Sequence, residues 1–386
     1  MYKKKIAFLT ATRADYGKLK SLILETQKLK NIKTYVLVAG MHTLNFFGNT
    51  IEEIKKDKIK NLIKLETQLD HSEKPSEVFV KTTDVFNNHF KKSNYDLVII
   101  HGDRIEPLSV AITCNLNGIK VAHIEGGELS GNIDDSIRHA ITKLSHIHLV
   151  TNKKAKKSAI KMGENKKSVF IVGSPDIDLP KSKKLPSLKS ALKRYNIPFS
   201  NYSLVILHPL TAISNKEQKT KAKIFFDVLK KTKLNYIVIK PNNDFGNEFI
   251  LNEIKLINQR NFKIFPSVRF EYFLTFLKFS NFIIGNSSSG IMEAPYYGTP
   301  CINIGNRQKN RTKDPNQKNV NYNKYQLTKL INYFASKKKR YKRKLHFGDG
   351  NSKIKFLKLI KNKNFWNIKT QKYFVERKLY RNEIFR

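Results

Sequence analysis

Between residues 97 and 148 the chain reads LVIIHGDRIEPLSVAITCNLNGIKVAHIEGGELSGNIDDSIRHAITKLSHIH. Asp103 follows closely on one short apolar run and Glu125 on another. Asp134 and Asp135 open a later segment that carries Arg138, His139 and His146. Ionisable groups at the ends of apolar runs are costly to desolvate unless they are paired or used. Carboxylates so placed can take and return protons or stabilise a developing positive charge. Arg104 and Arg138 would orient those carboxylates or a substrate, or else form structural ion pairs. Asp134 reads equally well as the cap of its helix.

The second half offers an anion site. Gly285-Asn286-Ser287-Ser288-Ser289-Gly290 joins a strand-like run to a short helix, and backbone amides with hydroxyls at such a turn can cradle phosphate oxygens. A serine-rich helix cap would satisfy the same amides. The stretch lacks the lysine of a Walker-type phosphate loop. Near the N-terminus, Arg13 and Lys18 flank the start of a first helix and form a second candidate anion site, with a surface ion pair as the alternative for Arg13. His208 ends a strand, where it is either a donor to a ligand or a loop histidine bonded to backbone. Asn242, Arg269, Gly290 and Glu293 complete the candidate ligand-binding set. No metal is expected: His139, His146 and His148 do not converge on one face, and the His123-Ile124-Glu125 pattern has no P-C-x-x-C to make a zinc deaminase site.

The elements that must position these residues are apolar runs of four to seven residues, rich in Val and Ile, separated by helical segments: KIAFL, TYVLVAG, LVII, IKVA, HLVTN and VFIVG, then SLVILHP, YIVIKP, FKIF, NFIIG and PCINI. Runs of this kind read as buried parallel strands. In an open α/β sheet the ligand edge is the carboxyl end of the strands, where Asp103, Glu125 and His208 fall. The expected fold is α/β, with two Rossmann-like domains facing a cleft. Residues 1–178 would carry the catalytic carboxylates and 200–363 the anion site of the serine turn. The segment between them holds three prolines and a charge run. A C-terminal helix within 364–374 would cross back to the first domain, followed by a basic tail to residue 386.

HGDR (101–104), HIEGGELSG (123–131) and DDSIRHAITKLSHIH (134–148) resemble the hydrolysing UDP-N-acetylglucosamine 2-epimerases of bacterial sialic-acid and capsule biosynthesis, a group that includes the epimerase domain of the animal bifunctional enzyme. TATRADYGKL (10–19) is close to that family's TGTRADYGKL, with Ala11 for the usual glycine. The resemblance implies a GT-B-like architecture, a nucleotide-sugar substrate, no cofactor, and assembly as a dimer or tetramer. It implies that Ser287 and Ser288 meet the UDP phosphates, that Glu293 holds the ribose hydroxyls, that His208 serves the departing phosphate, and that Arg13 and Lys18 bind phosphate. The implied chemistry is loss of UDP to an unsaturated sugar, then hydration with inversion at carbon 2. Asp103 and Glu125 are expected to act in elimination and Asp134 in hydration. Four other readings stand beside it: the same reaction on a diacetamido nucleotide sugar, the non-hydrolysing epimerase, a GT-B glycosyltransferase, and a nucleic-acid-binding protein. The non-hydrolysing branch carries HGDTTT and HVEAGLR where this chain has HGDR and HIEGGELSG. A glycosyltransferase would leave the acidic set at 103, 125 and 134 unexplained.

Composition bounds the remainder. The 386 residues suit two domains, and no apolar run is long enough for a bilayer. The net charge of +42 spreads lysine through the whole chain, steepest in 331–386, where 18 Lys and Arg stand against 3 Asp and Glu. Without a recognised nucleic-acid module, the charge reads as a solvated surface that would also steer an anionic substrate, so neither a membrane nor a specific nucleic-acid partner is expected. Cys114 and Cys301, far apart in apolar settings, fit a reduced cytoplasmic protein.

Overall fold

The computed structural model describes residues 3–45, 50–70, 73–131, 133–181, 185–210, 213–242, 244–312, 314–337 and 339–376, without the side chains of Arg13, Pro180 and Lys181. Among these residues the strands are β1 (Lys4–Thr10), β2 (Ile32–Val38), β3 (Leu62–Lys64), β4 (Leu97–His101), β5 (Val121–Ile124), β6 (Ile147–Val150), β7 (Val169–Ile171), β8 (Ser203–Ile206), β9 (Tyr236–Ile239), β10 (Phe262–Phe265), β11 (Ile283–Gly285), β12 (Cys301–Ile304) and β13 (Gln317–Val320). They form a seven-stranded sheet in the order β3-β2-β1-β4-β5-β6-β7 and a six-stranded sheet in the order β10-β9-β8-β11-β12-β13. The two orders have the same plan, and the pairings are parallel. Each sheet reverses direction once, between β1 and β4 and between β8 and β11. At such switch points the loops part and leave a crevice for a ligand.

The strands are apolar because helices cover both faces. Phe8, Ile99 and Ile124 face one core of the first sheet, and Ala7, Val98 and Val121 face the other. Two edge strands escaped the sequence reading. No residue of β3 is fully buried, and two of the four residues of β13, Gln317–Val320, are exposed. Edge strands carry little apolar signal because only part of their surface is buried.

The expected crossing helix is displaced. Residues 364–374 hold only the last residues of a four-residue turn, Lys363–Trp366. The helix that lies on the first sheet is Ser352–Lys361, inside the stretch assigned above to the second domain. Its Phe356 and Ile360 are buried with Ile6 and Phe8, and the Phe8 and Phe356 rings meet edge-on at 6.2 Å. Its apolar residues (Ile354, Phe356, Leu357, Leu359, Ile360) are interleaved with lysines, which masked the pattern. Residues 377–386 lie outside the description. Cys114 and Cys301 are buried and unpaired, and no described helix is long and apolar enough to cross a membrane.

Candidate active site

Both switch points open onto one cleft of about 730 Å³, lined from both sheets. Glu125 follows β5 with its backbone in the left-handed region, φ +65°. A non-glycine residue held there costs on the order of 1–3 kcal/mol and persists where its surroundings over-determine it. Its amide donates to the Leu149 carbonyl at 3.1 Å. Its Oε1 accepts the Ser174 hydroxyl at 2.5 Å, and Oε2 stands 3.2 Å from His101 Nε2. His101, at the end of β4, places its other nitrogen 3.6 Å from Asp15. Beside them the buried Asp176 carboxylate meets the Lys18 ammonium at 2.8 Å.

This packing separates two glutamates by protonation state. Burial disfavours charge on Glu125, but His101 and Lys18 outweigh it and hold the carboxyl well below the usual range. Burial alone would lower His101, yet Glu125 and Asp15 raise it to about 9. Glu293 arrives from the second domain, only 1% exposed. Burial and the neighbouring Asp176 push its carboxyl up to about 8, against the pull of Lys18. Near neutral pH, Glu125 is therefore an acceptor and Glu293 a neutral donor. Environments that drive two carboxyls apart in this way suit acid–base chemistry.

On the opposite wall, His208 follows β8 and Asn286 follows β11. The Asn286 amide clamps the His208 backbone, accepting from its N–H at 2.7 Å and donating to its carbonyl at 2.8 Å. Asn242 N–H points at His208 Nδ1 from 3.4 Å, which leaves the ring proton on Nε2. Burial, then Arg307, lowers His208 to about 3. It is a neutral hydrogen-bond donor at neutral pH. Ser287 partly serves as the cap anticipated for it, accepting the Ser289 amide at 3.3 Å, while Ser287, Ser288 and Ser289 all line the cleft.

A third group spans the two domains. Arg138, 1% exposed, is ion-paired to Asp103 and stands 3.7 Å from Asp135. Arg311 approaches Asp103 at 4.0 Å, and Arg307 holds Asp134 at 2.9 Å. Both arginines come from the loop after β12, which docks on the first domain through Gly131 N–H to Arg307 O, 3.0 Å. Arg104 reaches the other way, to Asp244 at 3.2 Å.

A cleft between two Rossmann-like sheets, acidic on one side and hydroxyl-lined on the other, narrows the possibilities, and comparison with known proteins decides the family. Residues 24–361 match the family model described as UDP-N-acetylglucosamine 2-epimerase. The chain belongs to this family. A UDP-N-acetylglucosamine 2-epimerase of Neisseria meningitidis serogroup B is 38% identical over 376 residues, covering 97% of this chain and 99% of the relative. A Campylobacter jejuni protein named GDP/UDP-N,N'-diacetylbacillosamine 2-epimerase (hydrolyzing) is 36% identical, covering 82% of this chain and 84% of its own. The fold matches a UDP-GlcNAc 2-epimerase structure from Neisseria meningitidis with TM-score 0.75 at 17% identity, over 93% of this chain and 100% of that one.

Within this epimerase-family cleft, the structure brings together most of the residues singled out from sequence: Lys18, Asp103, Arg104, Glu125, Asp134, Arg138, His208, Asn242, Ser287, Ser288 and Glu293 all line it. Arg13 opens the first helix, but its side chain lies outside the description. Two expectations do not hold. Arg269 is outside the lining, paired instead with Glu271 at 2.7 Å. Gly290 is also outside the lining and packs against β12, where a Cβ would meet Cys301 Sγ at 2.4 Å. Glu293 caps the four-residue helix Ala294–Tyr297.

The sequence reading missed Asp15, His101, Ser174, Asp176, Arg307 and Arg311. His101 and Asp176 follow the same strand-end logic that selected Asp103. The two arginines in GNRQKNR, just past β12, carried a similar signal. His101, Glu125 and Asp176 are the described residues whose donor atoms come within 4.8 Å of one another, as a metal would require. Lys18 already supplies positive charge at that point.

Proposed function

We propose that the protein is a hydrolysing epimerase that converts UDP-N-acetylglucosamine and water into UDP and N-acetylmannosamine, for sialic-acid-like or capsule sugars. One observation carries this reading: the ionised Glu125 and the paired Asp103 share a cleft with the neutral donor His208 and the serine turn. The diphosphate would lie on the second domain, against Ser287, Ser288 and Arg307, with His208 Nε2–H donating to it and Glu293 to the ribose. The sugar would lie against the carboxylates of the first domain.

The hydrogen on carbon 2 is not acidic, because no carbonyl is adjacent. The carbon 1–oxygen bond must therefore lead, with positive charge growing on the ring, and an ionised carboxylate nearby lowers that barrier. Glu125 or Asp103 takes the proton from carbon 2, the bonding electrons of the C–H form the ring double bond, and those of the C–O bond leave with UDP. Water then adds to carbon 1 and a proton returns to the opposite face of carbon 2, with Asp134 guiding hydration. The net reaction is redox-neutral and calls for no cofactor.

Two relatives named as hydrolyzing diacetylbacillosamine 2-epimerases, 36% and 32% identical, support the hydrolytic branch and also the second reading, a diacetamido nucleotide sugar. The test is an NMR time course with UDP-N-acetylglucosamine and no added metal. Free UDP with N-acetylmannosamine is expected. An equilibrium containing UDP-N-acetylmannosamine would move the protein to the non-hydrolysing branch. No turnover, followed by turnover of the diacetamido sugar, would establish the second reading. Assembly as a dimer or tetramer is part of the proposal, and light scattering in solution measures it.

A further inference from the structure

The chain passes between the two domains twice, and the two passages touch beside Glu125. On the way out it runs from Gly173 through Ser174, Asp176 and Asp178. On the way back it runs from His346 through Phe347 and Gly348 to the helix Ser352–Lys361. Gly173 and Gly348 meet backbone to backbone: a Cβ built on Gly348 would lie 3.0 Å from the Gly173 Cα and 3.1 Å from Ser174 N. Both have positive φ, +87° and +133°. The Ser174 amide donates to Phe347 O at 2.6 Å. Asp178 accepts the amides of Ser352 and Lys353, both at 2.8 Å, and so fastens the start of the returning helix.

The side chains of the same short segment hold residues that line the cleft, Glu125 and Lys18. Ser174 is 1% exposed, and its hydroxyl proton goes to Glu125 Oε1 while its oxygen accepts the Asp176 amide at 3.2 Å. Asp176 holds Lys18. The groups facing Glu125 are thus His101 and Lys18 as cations, Ser174 as the hydroxyl donor, and Asp176 and Glu293 as carboxyls. Of these donors, Ser174 has its main chain bonded to the returning passage.

We infer that Ser174 is a positioning residue through which the hinge between the domains sets the Glu125 carboxylate. The inference rests on the reading of Glu125 as the proton acceptor. With the passages seated, the Ser174 hydroxyl occupies one lone pair of Oε1 and fixes the carboxylate plane, leaving Oε2 with His101 toward the cleft. A hinge movement that shifts Phe347 shifts the Ser174 backbone and with it that hydrogen bond. Acceptor geometry and domain closure are then one event. A substrate that bridges the two walls would complete the acceptor as it closes the cleft.

The experiment compares the full-length protein with its Ser174→Ala, Ser174→Thr and Glu125→Gln variants, using UDP-N-acetylglucosamine with hydrogen or deuterium at carbon 2. Losing one hydrogen bond to a charged group should lower kcat for Ser174→Ala by between about ten- and a hundredfold. KM should stay within about twofold, since the nucleotide contacts lie on the other wall. The deuterium effect on kcat should grow, because proton removal becomes slower relative to the other steps. Ser174→Thr should recover most of the activity. A Ser174→Ala enzyme with the parent's kcat and isotope effect would overturn the inference. So would a loss that Thr does not repair and that leaves the isotope effect unchanged, since that is structural damage only. Glu125→Gln separates the two layers: if it stays active, the acceptor assignment has failed and this inference with it. If it is inactive while Ser174→Ala behaves as the parent, only the inference falls.

Discussion

Arg307, in the loop after β12, holds Asp134 of the opposite domain at 2.9 Å and also donates to the Asn286 carbonyl at 3.3 Å. One guanidinium therefore joins the hydration candidate on the acidic wall to the residue that clamps His208. On the proposed function, an anionic diphosphate entering the cleft would compete with Asp134 for this arginine, and exchange of partners would free the carboxylate.

Arg307→Met should therefore lower kcat/KM by about a hundredfold or more, a loss typical of an arginine that meets both a phosphate and a carboxylate. Most of the effect should fall on KM. Arg307→Lys should recover little, because one ammonium cannot serve two planar acceptors. Steady-state kinetics with UDP-inhibition constants would measure this, and unchanged UDP affinity would contradict it.

His101 and Glu125 predict the pH dependence of stability. His101 is raised from 6.5 to about 9, so its contribution is fully present below pH 6.5 and is lost as pH rises through 9. Glu125 is depressed below its ordinary 4.5, so its contribution is present above that value and is lost on acidification. The pair is complete between those limits. Urea titrations should show stability falling from pH 6.5 to 9.5 in the parent, and much less in His101→Gln. An equal fall in both would place the titrating group elsewhere.

Glu293 carries the sign opposite to that of Glu125 and adds to the fall with rising pH. Its carboxyl, raised from 4.5 to about 8, keeps a proton in the folded state that the unfolded chain has already lost, so folding is penalised increasingly as pH rises from 4.5 to 8. Glu293→Gln removes that penalty and should raise the melting temperature at pH 7.5. It should weaken nucleotide-sugar binding less than Glu293→Ala, since the amide retains a donor. A lower melting temperature for the Gln variant would count against a neutral Glu293.

Gly131 packs directly against the opposite domain, its N–H donating to the Arg307 carbonyl at 3.0 Å. A Cβ there would lie 1.9 Å from Asn306 O, in the loop that carries Arg307 and Arg311. Gly131→Ala should leave each core intact and push the loops apart. The expected signature is a melting temperature within a few degrees of the parent with kcat/KM reduced by about tenfold or more. Full activity would mean that the loop tolerates displacement.

The acidic wall was legible because its signal is local. Asp103 and Glu125 follow short Val- and Ile-rich runs, and chain chemistry alone says that a parallel strand ends there with its ligand edge exposed. His208 and the serines were found by the same rule. Glu293 was placed in the right element, although its helix is only four residues long. The cation network was harder. Arg307 and Arg311 look like two more basic residues in a chain with 73 of them, and composition cannot say which few enter a cleft. Arg269 shows the opposite error, a basic residue beside an apolar helix that pairs with its neighbour Glu271.

By itself, the sequence determined the α/β alternation, the strand ends and the residue types at them, because burial demands apolar runs and positive backbone angles demand turns at defined places. It also carried motifs specific enough to identify the family. Only the tertiary structure decided which charges meet. Arg307 reaches Asp134 across 173 positions, and the amide of Ser174 meets Phe347 just as far along the chain. Protonation follows from that juxtaposition: Glu125 and Glu293 are the same residue type, and one is held ionised while the other keeps its proton because different neighbours desolvate and offset their charge.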